Sequence, residues 1–238
     1  MKHANDAATD LRRRKLLARA AALTGIMTLN VTLAIRNVLA MADVPAIPGV
    51  RHLKGTLSIN GKAAKVGDLV APGDLLVTGA DSEALVVHNQ DALLIRANTR
   101  LRIDSDDQTF INLMRITAGA VLSVWGPRKQ ALGITTPIAS IGIRGTGIYV
   151  DSTPEFTYAC TCYGVADLVP TAAPDKLRTV QTTYHDAPFF IYPNAEEPLV
   201  SGPVINHTDE ELIMLEALFR REPPFTTHPN YAEGGGGY

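Results

Sequence analysis

From Gly49 to Val169 short apolar runs alternate with Gly, Asn, Asp and Pro clusters, with a turn signal every eight to twelve residues and no helical period. Leu57 and Ile59 run into Asn60-Gly61, a pair that tolerates the positive φ of a two-residue hairpin. Leu85-Val86-Val87 and Leu93-Leu94-Ile95 flank a second hairpin signal at Asn89-Gln90-Asp91. Leu101 and Ile103, Ile111 and Leu113, then Val121, Ser123 and Trp125 continue the alternation. The pattern predicts an all-β body, a sandwich or β-roll of short, mostly antiparallel strands with one face in the core and one in water.

The alternation is interrupted once within its strongest stretch. Ile141 and Ile143, then Ile148 and Val150, mark two apolar runs separated by Gly145-Thr146-Gly147. Glycine inside a strand pattern marks a bulge or the close approach of another backbone. Arg144 stands at the break among apolar neighbours, so its guanidinium must find acceptors. A structural bend whose arginine pairs with a carboxylate or carbonyls is the simpler reading, and a ligand-binding arginine the alternative.

Beyond Val169 the composition changes. Pro170 to Lys176 reads as a linker, Thr179 to Tyr184 as a further strand, and Phe189-Phe190-Ile191-Tyr192 as an aromatic patch that must pack to be hidden. Thr208-Asp209-Glu210-Glu211 is a capping box, with Thr208 at the N-cap and Glu211 three residues on. Leu212, Leu215, Leu218 and Phe219 give the following helix one apolar face, Arg220 and Arg221 suit its C-terminal end, and Pro223-Pro224 stops it. The expected organisation is a β domain over 43–170, an extension over 171–225 with one α-helix at about 208–221, and a disordered tail over 226–238.

The first 42 residues follow other rules. Arg12-Arg13-Arg14-Lys15-Leu16-Leu17 opens an apolar stretch ending in Ala40-Met41-Ala42, the order of charge, apolar core and small residues that makes a cleavable signal helix. The twin arginines followed by two leucines fit a twin-arginine export signal. The longest uncharged run, Ala20 to Ile35, has 16 residues and carries Thr24, Thr28, Asn30 and Thr32. A span of the hydrocarbon layer takes about 20 mostly apolar residues, so an export signal is favoured over an inner-membrane anchor formed by residues 16–40. The expected location is the periplasm, with membrane contact only through this segment if it stays uncleaved.

Net charge is -2 for the whole chain, but residues 1–42 hold seven Lys/Arg and two Asp/Glu, which leaves the rest at -7. A body that acidic, with no basic patch interleaved with aromatics, argues against nucleic acid as a partner. Gly61 to Asp68 and Pro72-Gly73-Asp74 mimic phosphate loops, but no Gly-Lys-Ser/Thr or helix follows, and they read as turns. Asp104, Asp106 and Asp107 lack the glycine and distal glutamate of a calcium loop. No Ser-His-Asp constellation or carboxylate pair stands out, so the chain reads as non-catalytic. His52 and His88 fall in strand or turn positions and read as surface residues.

The chemistry lies in Tyr158-Ala159-Cys160-Thr161-Cys162-Tyr163-Gly164. On a strand, residues i and i+2 share a face, so both sulfurs project together. An i, i+2 disulfide would be strained and redox-active; a shared soft metal would need further ligands; two buried inert thiols are the third reading. His185 and His207, the latter just ahead of the capped helix, complete a Cys₂His₂ set suited to zinc, iron or copper. Asp186 and Asp209 stand ready as outer partners of the imidazoles. Twin-arginine export, typical of proteins that load a cofactor before crossing, tips the balance towards metal.

Ile143-Arg144-Gly145-Thr146-Gly147-Ile148-Tyr149-Val150 after Ile134-Thr135-Thr136-Pro137 resembles the signature of the FecR domain. Gly67-Asp68, Pro72 to Gly79, Asp81-Ser82-Glu83-Ala84 and Ala118-Gly119-Ala120-Val121 agree with it, so the resemblance covers roughly residues 49–170. That domain is the extracytoplasmic part of bacterial iron-citrate signalling regulators and also occurs in stand-alone secreted proteins. The Cys-Thr-Cys-Tyr-Gly, His-Asp-Ala-Pro and Asn-His-Thr-Asp pieces resemble the tails of some stand-alone members. The resemblance implies a binding or interaction module of the envelope, whose partner is an envelope protein or ligand. It does not bring anti-sigma activity with it, since only about fifteen residues precede the apolar core, where signalling members carry a sigma-binding segment of many tens of residues.

Replacing Arg13 and Arg14 by lysine is expected to leave the precursor in the cytoplasm, as read by fractionation. Normal export of that double variant would remove the twin-arginine assignment.

Overall fold

The computed structural model describes residues 46–105, 111–128, 132–185, 187–228 and 231; Asp106, Asp107 and Asp186, the signal-helix assignment and most of the tail lie outside them, while Thr226 and Thr227, expected in a disordered tail, end a short 3-10 turn at Pro224–Thr227. The body is all-β with one helix, and its strands form a closed β-barrel with extra strands. The predicted hairpins are present. β2 (Leu57–Ile59) returns as β3 (Lys62–Ala63) through Asn60 and Gly61, both at positive φ. β5 (Glu83–His88) returns as β6 (Asp91–Ile95) with Asn89 at φ 53°. β1 (Gly49–Lys54) pairs with β5, and β4 (Leu75–Thr78) lies between β2 and β7 (Arg100–Asp104).

Three long strands organise the rest: β8 (Leu113–Val124), β10 (Ala139–Ser152) and β11 (Thr157–Pro170). Each changes neighbours about half-way, near Gly119, Gly145 and Gly164, all at positive φ. β8 pairs with β7 up to Ala118 and with β6 from Val121. β10 pairs first with the short β9 (Leu132–Thr135), then with β8. β11 pairs along its whole length with β10, and on its other edge with β13 (Pro188–Ile191) and then β12 (Arg178–Thr182). β14 (Leu199–Ser201) closes the series on β13, and the only parallel pairing among the described residues is β8 with β9. Residues 171–201 therefore add strands to the barrel.

The two glycines at the break do different work. Gly145 sits at φ 59°, and nothing lies within 4 Å of where its side chain would begin. It is needed for its backbone angle alone. Gly147 has an ordinary φ, but a Cβ there would lie 2.5 Å from the Tyr163 ring. Close approach applies to Gly147. Arg144 pairs with Asp167 (2.9 Å) on the exposed surface, so it is a structural arginine. Asp104 likewise pairs with Arg102 and Arg115, each at 3.0 Å.

One expectation is corrected. Strands with one face in water are found at β7, whose exposed Arg100 and Arg102 alternate with buried Leu101 and Ile103, but not across much of the barrel. Val86, Leu93, Ile95, Val121, Ile148, Val150 and Ala159 fill an inner core. Their neighbours Leu85, Val87, Leu94, Leu122, Val124, Tyr149, Tyr158, Cys160 and Cys162 are equally buried, in a second core on the opposite face. That face is apolar because the C-terminal segment covers it. Leu212, Leu215 and Phe225 are fully buried there, each worth about 1.5–3 kcal/mol relative to exposure.

Helix α1 (Asp209–Ala217) carries the covering face and has the predicted capping box, Thr208 with Glu211. It ends four residues short of the expected limit. Arg220 adopts φ 56°, and the Arg221 amide donates to Glu216 O (3.1 Å), a left-handed ending that no glycine announces. Arg221 instead pairs with the buried Glu216, which also accepts from Tyr163 Oη (2.5 Å). Arg96 holds both carboxylate oxygens of Glu211 (2.8 and 2.7 Å), Glu83 (2.7 Å) and Asn206 O (3.1 Å).

Gly145→Val is expected to destabilise the protein by about 1–2 kcal/mol through its backbone angle. Gly147→Ala should cost about 1–3 kcal/mol by displacing the Tyr163 ring and its bond to Glu216. Denaturant unfolding reads both. An unchanged midpoint in either variant would mark that glycine as an ordinary strand residue.

Candidate metal centre

The first half of β11 places Cys160 and Cys162 on the covered face. The register moves there: Gly147 faces Tyr163 and Ile148 faces Thr161, which leaves Cys162 as an extra residue in a bulge. The Cys162 carbonyl accepts the His185 amide (3.0 Å), anchoring the turn that follows β12. His185 itself sits at φ 48°, a left-handed angle uncommon outside glycine and asparagine. His207 comes from the covering segment, directly before the Thr208 cap, with its ring stacked on Tyr149 (centroids 4.8 Å apart, planes at 12°).

The structure brings all four of these side chains together. One donor atom from each of Cys160, Cys162, His185 and His207 lies within 4.8 Å of every other. Cys160 Sγ is 3.4 Å from His185 Nδ1, Cys162 Sγ is 3.5 Å from His207 Nε2, and the two nitrogens are 3.3 Å apart. Donors at about 2.0–2.3 Å from a common tetrahedral centre lie about 3.3–3.8 Å from one another. These three edges fall in that range, and all six lie within 4.8 Å. All four residues are buried, with the histidines at 6% and 1% exposure and the cysteines at 0%, so the set is closed to solvent.

The outward sides of the imidazoles are tied down. His185 Nε2 donates to Asp209 Oδ1 (3.1 Å), and Asp209 Oδ2 accepts from Tyr184 Oη (2.8 Å). His207 Nδ1 donates to Ile205 O (2.7 Å). These bonds occupy the outward nitrogens and aim the inward nitrogen of each ring, a lone pair wherever that ring is neutral, at the other ring and at the sulfurs. Two lone pairs at that separation repel unless a proton or a cation lies between them. Protons arrange themselves accordingly: the hydrogen bond with Cys162, helped by both imidazoles, holds Cys160 well below the usual thiol range despite its burial. Burial pushes the Cys162 thiol up. Burial alone would lower His185, but the bonds to Asp209 and Cys160 outweigh it and raise it to about 9.

Cys160, His185 and Asp209 also form a line of thiol, imidazole and carboxylate that resembles a nucleophile with its base and orienting acid. The Cys160 sulfur is fully buried beneath the covering segment. Ligation is the chemistry this geometry suits. Sequence reasoning anticipated Asp209 but not Tyr184 or the Tyr149 stack; the adjacency of Tyr184 to His185 was the only signal for either. His88 is half-buried with Nδ1 3.2 Å from Val70 O, apart from the cluster.

No family model matches the chain. No curated protein matches it either. Two crystal structures of a "putative anti-sigma factor" from Parabacteroides distasonis ATCC 8503, at 1.65 and 2.50 Å, superpose on part of it. Each does so with a TM-score of 0.45 and 10% identity, over 54% of this chain and 58% of the other. The chain thus spans somewhat over half the length of those proteins. Likeness at that level carries no argument about what this chain does.

Proposed function

We propose that this chain is a non-catalytic, exported metal protein in which Cys160, Cys162, His185 and His207 hold one zinc ion in a structural site. The observation that carries the reading is the convergence of two sulfurs and two inward-facing imidazole nitrogens within 4.8 Å of one another in a buried pocket, three of the six edges being 3.3–3.5 Å. Four protein ligands complete the sphere and leave no open position for a reacting water, which is the mark of structural rather than catalytic zinc. Two thiolates balance a dication, so the ligated centre is neutral. Asp209, buried beside the centre, lies in the first turn of α1, where the helix dipole favours a carboxylate. A monovalent copper would leave the pocket with an uncompensated negative charge, and zinc is favoured over it on that ground.

The FecR-like motif set supports an envelope interaction module over residues 49–170, and the N-terminal pattern supports export. The site straddles that domain and its extension. It gives the barrel a fixed C-terminal half and leaves recognition of an envelope partner to other surfaces.

The full chain, purified under reducing conditions without chelator, is expected to carry about one equivalent of zinc by elemental analysis and to give the visible spectrum of tetrahedral, thiolate-bound cobalt after exchange. Asp209→Asn should weaken metal affinity by about 10–100-fold while keeping that spectrum, because the ligands remain and their outer partner loses its charge. A reduced, folded protein that takes up neither zinc nor cobalt would sink the proposal.

A further inference from the structure

We infer that the metal centre is a latch, and that its occupancy decides whether residues 204–228 cover the outer face of the barrel; this rests on the metal reading above. The covering segment is joined to the barrel by side chains alone. Among the described residues, strand pairing ends at Ser201, and the last backbone bond to the sheet runs from the Gly202 amide to Pro188 O (3.0 Å). Several directed polar contacts hold it. Tyr158 Oη donates to Pro203 O (2.7 Å), Arg96 grips Glu211 and Asn206 O, Tyr163 holds Glu216, and Arg221 Nη1 reaches Gln90 O (3.2 Å). Apolar burial of Leu212, Leu215 and Phe225 and the bond from Tyr184 Oη to Asp209 (2.8 Å) add to these, and the cluster ties the start of the cover to the barrel, with two donors on β11, one on the turn after β12 and one on the cover.

The start of α1 is bound to that cluster by three consecutive residues. His207 supplies a donor atom, Thr208 caps the helix, and Asp209 accepts from His185. Releasing the metal removes the shared partner that ties His207 to Cys160, Cys162 and His185, at the point where the helix is nucleated. A nine-residue helix does not persist once undocked. The barrel does not need it, because the inner core contains no residue beyond Leu199. A partial opening that spares the barrel is therefore available to this fold, and what it uncovers is apolar: Leu85, Val87, Leu94, Leu122, Val124 and Tyr149.

The test is hydrogen exchange of the full-length, metal-loaded protein, before and after a chelator, with an apolar fluorescent dye in parallel. Amides of residues 204–228 should exchange about tenfold or more faster after chelation, while those of β2, β4 and β7 keep their rates. Dye fluorescence should rise, and added zinc should reverse both changes. If metal is bound and removed yet 204–228 exchanges as before, or if the barrel loosens equally, the latch is wrong and the metal site stands. If the protein never takes up metal, both are wrong.

Discussion

A sheet buried on both faces needs two coverings, and the second must come from somewhere. Here the inner face closes on itself as a barrel, while Leu85, Leu94, Leu122 and Tyr149 on the outer face depend on a segment that follows the last strand. Backbone pairing fixes a strand in register; this segment has no such guide and is positioned by side chains. That explains why buried polar groups gather at the seam. Arg96, Glu211, Tyr163, Glu216, Tyr184 and Asp209 all bridge barrel and cover or line their junction, and the Cys₂His₂ cluster lies among them. Directional bonds supply the register that apolar contact lacks.

The capping glutamate shows how closely these roles are joined. Glu211 accepts the Thr208 amide (3.1 Å) to close the capping box, and its oxygens also receive Arg96 from the barrel. Helix formation and docking thus share one carboxylate. Asp209 does the same at the cluster, favoured by the helix dipole and holding the tautomer of His185. Each residue couples a local preference of the chain to a distant contact, and the two reinforce each other.

What could be read from the sequence was mostly local. Asn60-Gly61, Asn89 and the Thr208–Glu211 box signal their structures within four residues, and all three are found. The candidate ligands were legible by residue type, since the two cysteines had to share a face; their meeting with His185 and His207 depends on how β11, β12 and the cover are placed. The unbroken runs Leu85-Val86-Val87 and Leu93-Leu94-Ile95 did carry the sign of two-sided burial, yet alternation elsewhere suggested a wet outer face. Arg96 gave no sign at all, because its partners lie 13 and 115 residues away. The end of α1 was missed for a different reason: an arginine takes the left-handed position that glycine usually announces.

His207, Thr208 and Asp209 make a fixed ruler. His207 and the extended Thr208 lie ahead of the first helical turn, so inserting or deleting one residue in this tripeptide would shift Asp209 and the whole of α1 by one residue against His207. Leu212 and Leu215 would leave the apolar face just as Asp209 left His185. Length changes should therefore be confined in related chains to segments such as the exposed residues 194–197 between β13 and β14, while these three positions keep an invariant separation.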